Sequence, residues 1–302
     1  EKYDHKIIGK IDLHLPFNTN LRGVIKNSDL TISKVRGTIA INTESTDSDL
    51  NNLNGNINIT TRGGNISATK LSGEMELTVV SGDINIFDCD ANSMLTMDNG
   101  NIFINGLKGN LLSNTTLGET LVSNYEGESS VFNINVGNLK INKSKSNINA
   151  TIDIGSVNIN NIQGTTTIFT GKGEINLNNI IGDVNCNTNF GNVNGINLFG
   201  KINANSELGD IEINKGYNSF LKDHSVNIAT KRGSISVRLP SDLPYAINSQ
   251  CHNLETRNAI SSEIPLDEEF LSAKVVGQGK IKEGTISCNL SSNYGPISIF
   301  TN

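Results

Sequence analysis

Gly155-Ser156-Val157-Asn158-Ile159, then Gly164, then Gly173-Glu174-Ile175-Asn176-Leu177: this stretch decides the fold. Its glycines stand nine residues apart. Where the unit is clearest, apolar residues occupy the second and fourth positions after the glycine. An apolar residue at every second position marks a strand with one buried face. The intervening residues are polar and read as a turn, for which glycine supplies positive φ. The same unit recurs in Gly55-Asn56-Ile57-Asn58-Ile59, Gly82-Asp83-Ile84-Asn85-Ile86 and Gly100-Asn101-Ile102-Phe103-Ile104.

Outward from this stretch the spacing covers most of the chain. A first run holds Gly37, Gly55, Gly64, Gly73, Gly82, Gly100, Gly109, Gly118 and Gly127, with Thr46 and Ala91 in two slots. After one extra residue, a second run holds Gly137, Gly155, Gly164, Gly173, Gly182, Gly191, Gly200 and Gly209, with Ser146 in one slot. Seventeen of twenty slots are glycine, where 29 glycines in 302 residues predict about two. Chance does not produce this.

The units alternate. Every other glycine is preceded, two positions earlier, by an apolar residue: Val35, Leu53, Leu71, Leu107, Tyr125, Ile162, Ile180 and Leu198. Two unlike half-repeats imply a coil of 18 residues with two strands and two kinds of corner. One corner is closed by an inward plug, and the other is more open. Strict spacing favours parallel stacking over hairpins, because each unit then lies on its copy one coil away. The expected fold is all-β: a single parallel β-solenoid of about nine to ten such coils, with β caps at both ends. At about 4.8 Å per coil the rod is roughly 45 Å long.

Residues 1–36 read as N-terminal capping strands, built on Ile11–Pro16 and Leu21–Lys26. Residues 37–215 are the repeat, and 216–302 the last coils and a C-terminal β cap. Ile235–Pro240 echoes the N-terminal Leu-Pro strand. Residues 216–225 read as an inserted loop. Residues 258–280 read as an irregular loop in which Leu266, Phe270 and Leu271 form a short helix over the open end.

At this point the chain resembles the DUF4097 family of adhesin-like β-solenoids. The likeness lies in Gly-[Asn/Asp/Glu]-Ile-x-Ile repeats, a Leu-Pro strand leading in, and a closing Gly-x-Ile-x-Ile strand. It covers nearly the whole chain. It implies a non-enzymatic cell-surface or envelope protein, with organellar relatives in eukaryotes, and no catalytic residues.

Composition narrows the partners. Net charge is -6 and only 18% of residues are charged. No Lys/Arg run exceeds two, so a nucleic-acid partner is not expected. No apolar stretch approaches the ~18 residues of a membrane helix. The chain begins at Glu1 rather than Met, which suggests a processed N-terminus. Four cysteines occur without a CxxC pair. Cys89 and Cys186 read as small core residues, and Cys251 and Cys288 as a candidate disulfide.

The residue after each open-corner glycine always carries a side-chain oxygen: Asn65, Asp83, Asn101, Glu119, Asn138, Ser156, Glu174, Asn192 and Asp210. A cation ladder and turn capping both fit. The missing Gly-Gly-x-Gly-x-Asp pattern of calcium-binding rolls favours capping. Asn58, Asn85, Asn158 and Asn176 are candidates for amide ladders on an outer face. The histidines are scattered, and no nucleophile elbow, phosphate loop or HExxH is present. No catalytic, metal or cofactor site is therefore expected. The leading reading is a rigid adhesin-like scaffold at the cell surface, in the envelope or outside the cell, binding a protein or glycan partner. The alternative is an accessory subunit of a larger, membrane-associated assembly in an organelle such as the mitochondrion. A carbohydrate-active β-helix enzyme is the outsider.

Overall fold

The computed structural model describes residues 15–252 and 259–302. These form strands and turns with no helix, wound into a parallel β-solenoid of about eleven turns. The N-terminal strand at Ile11–Pro16 falls almost entirely outside the described residues.

Each coil contributes one rung to each of two sheets. In the first sheet, Asn54–Thr61 stacks on Ser72–Ser81 with Ile57 over Met75 and Ile59 over Leu77. In the second, Val157–Gln163 stacks on Ile175–Ile181 with Val157 over Ile175 and Ile159 over Leu177. The offset is 18 residues, so alternation keeps the Ile, Val and Leu columns of these strands inward. The two inner faces share one continuous core from Ile32 to Ile299.

At the open corner the glycines stack directly on one another. Gly118 has φ +146°, and a Cβ there would fall inside the carbonyl oxygen of Gly100. The repeat thus requires glycine for close backbone approach as well as for its dihedral. The plug corner works differently. A left-handed residue turns the chain just before each plug, as at Asn52 (φ 53°), Asn161 (58°), Asn179 (57°) and Asn197 (55°). Leu53, Ile162, Ile180 and Leu198 then point into the core and are buried. Asparagine tolerates this conformation better than most residues, which gives the asparagines at this corner a structural basis.

The extra residue between the two glycine runs is absorbed as a register shift between Glu126 and Ser129. The Tyr125 hydroxyl fills that widened corner, 2.8 Å from the Gly109 carbonyl and 2.9 Å from that of Ser129.

The solenoid extends beyond the glycine runs. Leu21–Lys26 lies parallel on Arg36–Glu44 at the same offset, so part of the expected cap is an ordinary rung. Residues 216–225 contain an insertion that lengthens the coil by six: Ile202 pairs with Val226, 24 positions on. Ile235–Leu239 is likewise a regular rung, stacked on Ile211–Lys215.

The C-terminal end departs from both sequence order and expectation. Val226–Arg232 is followed in space by Ile286–Ser292, and only then by Tyr245–His252. The last coil of the chain is therefore inserted beneath an earlier segment. In place of the expected irregular loop and short helix, Leu266–Leu271 and Lys274–Lys280 form an antiparallel hairpin on Tyr245–His252. Alternation explains the correction: Val275 and Gly277 turn toward the core while their neighbours face out. Asp267, Glu268 and Glu269 lie on the outermost strand, where charge discourages further strand addition.

Candidate functional site

The outer face of the first sheet carries a groove of about 550 Å³. Two adjacent outward columns line it. One runs Glu74, Asn92, Asn110 and Ser129 beside the plug corner. The other runs Asn58, Glu76, Met94, Leu112 and Val131. Stacking at the strand spacing makes the groove about 19 Å long over five rungs.

Its polar groups are fixed in place. Asn92 Nδ2 donates to Glu74 Oε1 at 3.0 Å, and Asn58 Nδ2 donates to Glu76 Oε2 at 2.7 Å. Each carboxylate keeps acceptor capacity beyond that one bond. Met94 and Leu112 add an apolar strip next to these acceptors. The groove thus offers oriented acceptors and amides along one side and a hydrophobic platform along the other.

Farther along the second column, amides form an unbroken ladder. Asn203 donates to Asn185 at 2.6 Å, Asn227 to Asn203 at 3.0 Å, Asn289 to Asn227 at 2.8 Å and Asn248 to Asn289 at 3.3 Å. The ladder ends in a second depression of about 360 Å³, lined by Asn248, Gln250, Lys274 and Gln278 among others. The four asparagines expected to stack do not form one ladder. Asn58 is on the first sheet and bonds Glu76. Asn176 accepts from Asn194 at 2.8 Å on the second sheet, where Asn158 lies between Lys140 and Asn176. Asn85 stands between Ser67 and Phe103.

The oxygen column after the open-corner glycines caps the backbone. Asn65 accepts the N–H of Asp83 at 2.8 Å, Asp83 that of Asn101 at 2.7 Å, and Asn101 that of Glu119 at 3.0 Å. Asn138, Asn192 and Asp210 do the same for Ser156, Asp210 and Ser234. Each bond reaches one coil forward rather than along its own turn, so the column ties coil to coil. Plug-corner glycines are followed by similar caps, as where Asp183, next to Gly182, accepts the N–H of Lys201 at 3.0 Å.

Cys251 and Cys288, the candidate disulfide, are not bonded. Cys288 lies opposite Ile247 and Cys251 opposite Ser292. The two are therefore four residues apart along paired strands, about 13 Å, beyond disulfide reach. Burial pushes the Cys288 thiol up to about 12.

One buried polar site escaped sequence reasoning. Lys215 takes the plug position after Leu198 and is fully buried. Its ammonium donates to the carbonyls of Gly200 at 2.5 Å, Phe199 at 2.6 Å and Leu198 at 3.3 Å. His224 Nδ1 lies 3.0 Å from the Phe199 carbonyl. In a regular coil the next coil's backbone supplies such donors, as Gly200 N–H does for Gly182. The six-residue insertion moves that backbone away, and two side chains replace it. Burial pulls the lysine down to about 7, with Asp183 and Asp223 opposing the shift. The signal was available: Ile211, Ile213 and Lys215 alternate, so the lysine stands where the pattern demands an inward residue.

No family model matches this chain. No curated protein and no solved structure matches it either. The likeness to adhesin-like solenoids rests on the repeat motifs. Among the described residues no helix is long and apolar enough to cross a membrane.

Proposed function

We propose that this rod is a non-enzymatic, adhesin-like binding scaffold displayed at a cell surface or envelope, and that the groove from Ile57 to Val131 recognises a glycan. The carrying observation is the pairing of held acceptors, Glu74 and Glu76, with the apolar strip of Met94 and Leu112. Sugars present hydroxyl donors at ring edges and C–H surfaces on ring faces, and a groove with both elements side by side complements them. The columns also repeat at the strand spacing, which suits an extended chain of similar units. Glu74 and Glu76 project from one strand in one direction. Glycosidase chemistry places its two carboxyl groups on either side of a scissile bond, so this arrangement favours binding without turnover.

A glycan-array screen followed by calorimetric titration tests the reading. A binder should lose at least about tenfold in affinity, or roughly 1.4 kcal/mol, in Glu74→Gln/Glu76→Gln and in Met94→Asn. Undiminished affinity in both variants, or sugar release from the bound glycan, would overturn it.

A further inference from the structure

The residue just before each open-corner glycine points away from the core, and in six consecutive coils that column is nearly all apolar. It reads Leu117, Val136, Ile154, Lys172, Phe190 and Leu208, each directly over the last. The five apolar members are 37–52% exposed. At the strand spacing the seam is about 24 Å long. Scattered exposed apolar residues need no explanation, but a continuous row does.

We propose that this seam pairs with the same seam of a second copy, the two rods running antiparallel. An isologous contact requires a self-complementary order. A two-fold axis between the coils of Ile154 and Lys172 provides one. Leu117 then meets the partner rod's equivalent of Leu208, and Val136 meets that of Phe190, small against large. Ile154 packs on the aliphatic stem of the opposite lysine, whose ammonium comes beside Asp153. One coil beyond the apolar run, Arg232 comes beside Asp98 and Asn99 of the other copy; Arg232 follows Leu208 in the same column, and Asn99 precedes Leu117. A parallel arrangement would instead set lysine against lysine. On the far flank Glu119 approaches Asp210 across the seam, and Glu119 is already paired with Lys140 at 3.6 Å.

Two seams of this size bury on the order of 1,000 Å², the lower limit for a specific contact. The dimer should therefore dissociate on dilution. Sedimentation velocity across a concentration series should show monomer passing to dimer, and Phe190→Glu should stay monomeric with an unchanged melting curve. The register is tested by oxidising Asn99→Cys/Arg232→Cys. These positions lie seven coils apart in one chain, about 34 Å, so they cannot bond within it, and all four native cysteines are buried. Covalent dimer from the double variant and not from either single variant is the expected result. A monomer at every concentration, equal cross-linking of a single variant, or association that survives Phe190→Glu would overturn the proposal.

Discussion

The repeat and the C-terminal end use the same strands, yet they are specified differently. Between Gly37 and Gly209 each coil meets its neighbours at an offset of 18 residues, or 19 across the bulge at Glu126–Ser129, and each contact has many near-copies. Beyond Gly216 each contact occurs once. Ile286–Ser292 must enter between Val226–Arg232 and Tyr245–His252, although Tyr245–His252 precedes it in sequence. Redundancy makes the first region tolerant of loss, and single-copy nesting makes the second intolerant.

Two deletions of equal size put that difference to the test, and they should shift stability the most. Removing residues 173–190 excises one whole coil, and Gly191 then takes the place of Gly173. A shorter rod should fold with nearly unchanged cooperativity, because solenoid stability is close to a sum over coils. Removing residues 285–302 instead strips the buried side chains of Cys288, Leu290, Ile297 and Ile299 from the end. At about 1.5–3 kcal/mol each, their loss rivals the whole stability of an ordinary domain. Circular dichroism melts and light scattering should show a folded protein in the first case and an aggregating one in the second. Equal behaviour would mean that the end is merely more repeat.

Within the repeat, the tightest point is the glycine stack. Gly118→Ala demands a left-handed dihedral and pushes a methyl group into the Gly100 carbonyl. It should cost about 2–4 kcal/mol in denaturant unfolding. Gly23→Ala is the control. Nothing lies within 4 Å of its added Cβ, so its midpoint should move by less than about 0.5 kcal/mol.

The same contrast explains how much was legible. The nine-residue glycine spacing and the alternation after it specify strands, corners and plugs, because repetition turns a weak local preference into a pattern. The oxygen column was readable as capping, since Asn, Asp and Ser at that slot have one common partner. The bulge at Glu126–Ser129 showed as a slip of one residue. Nothing comparable marks the nested final coil. Its partners lie about 40 and 60 positions away, as in Asn248–Asn289 and Asn227–Asn289, and no period announces them. For that reason the sequence of 266–280 reads as an irregular loop with a short helix, and two cysteines on adjacent strands read as a candidate pair. The groove was hidden for another reason: Glu76, Met94 and Leu112 are unlike residues in one column, and only their stacking makes them a surface.

Lys215 stands where the two regions join, and it gives the smallest but most specific effect. In the unfolded chain its ammonium keeps its proton to about 10.5, whereas in the fold it releases it near 7. Between those values the unfolded state holds the extra proton, so stability rises with pH. Below about pH 7 both states are protonated and this slope vanishes. His224 is also held below its ordinary value, by burial first and by Lys215 second. Its own slope therefore lies below about pH 6.5, clear of the lysine window. Lys215→Met removes the titration and takes away the side-chain donor to the Gly200 carbonyl. It should lose about 1–3 kcal/mol at pH 9, with the deficit shrinking toward pH 6. Chemical denaturation at four pH values would resolve this. A deficit that stays constant with pH would mean that the ammonium keeps its proton in the fold, held by the three carbonyls against the cost of burial.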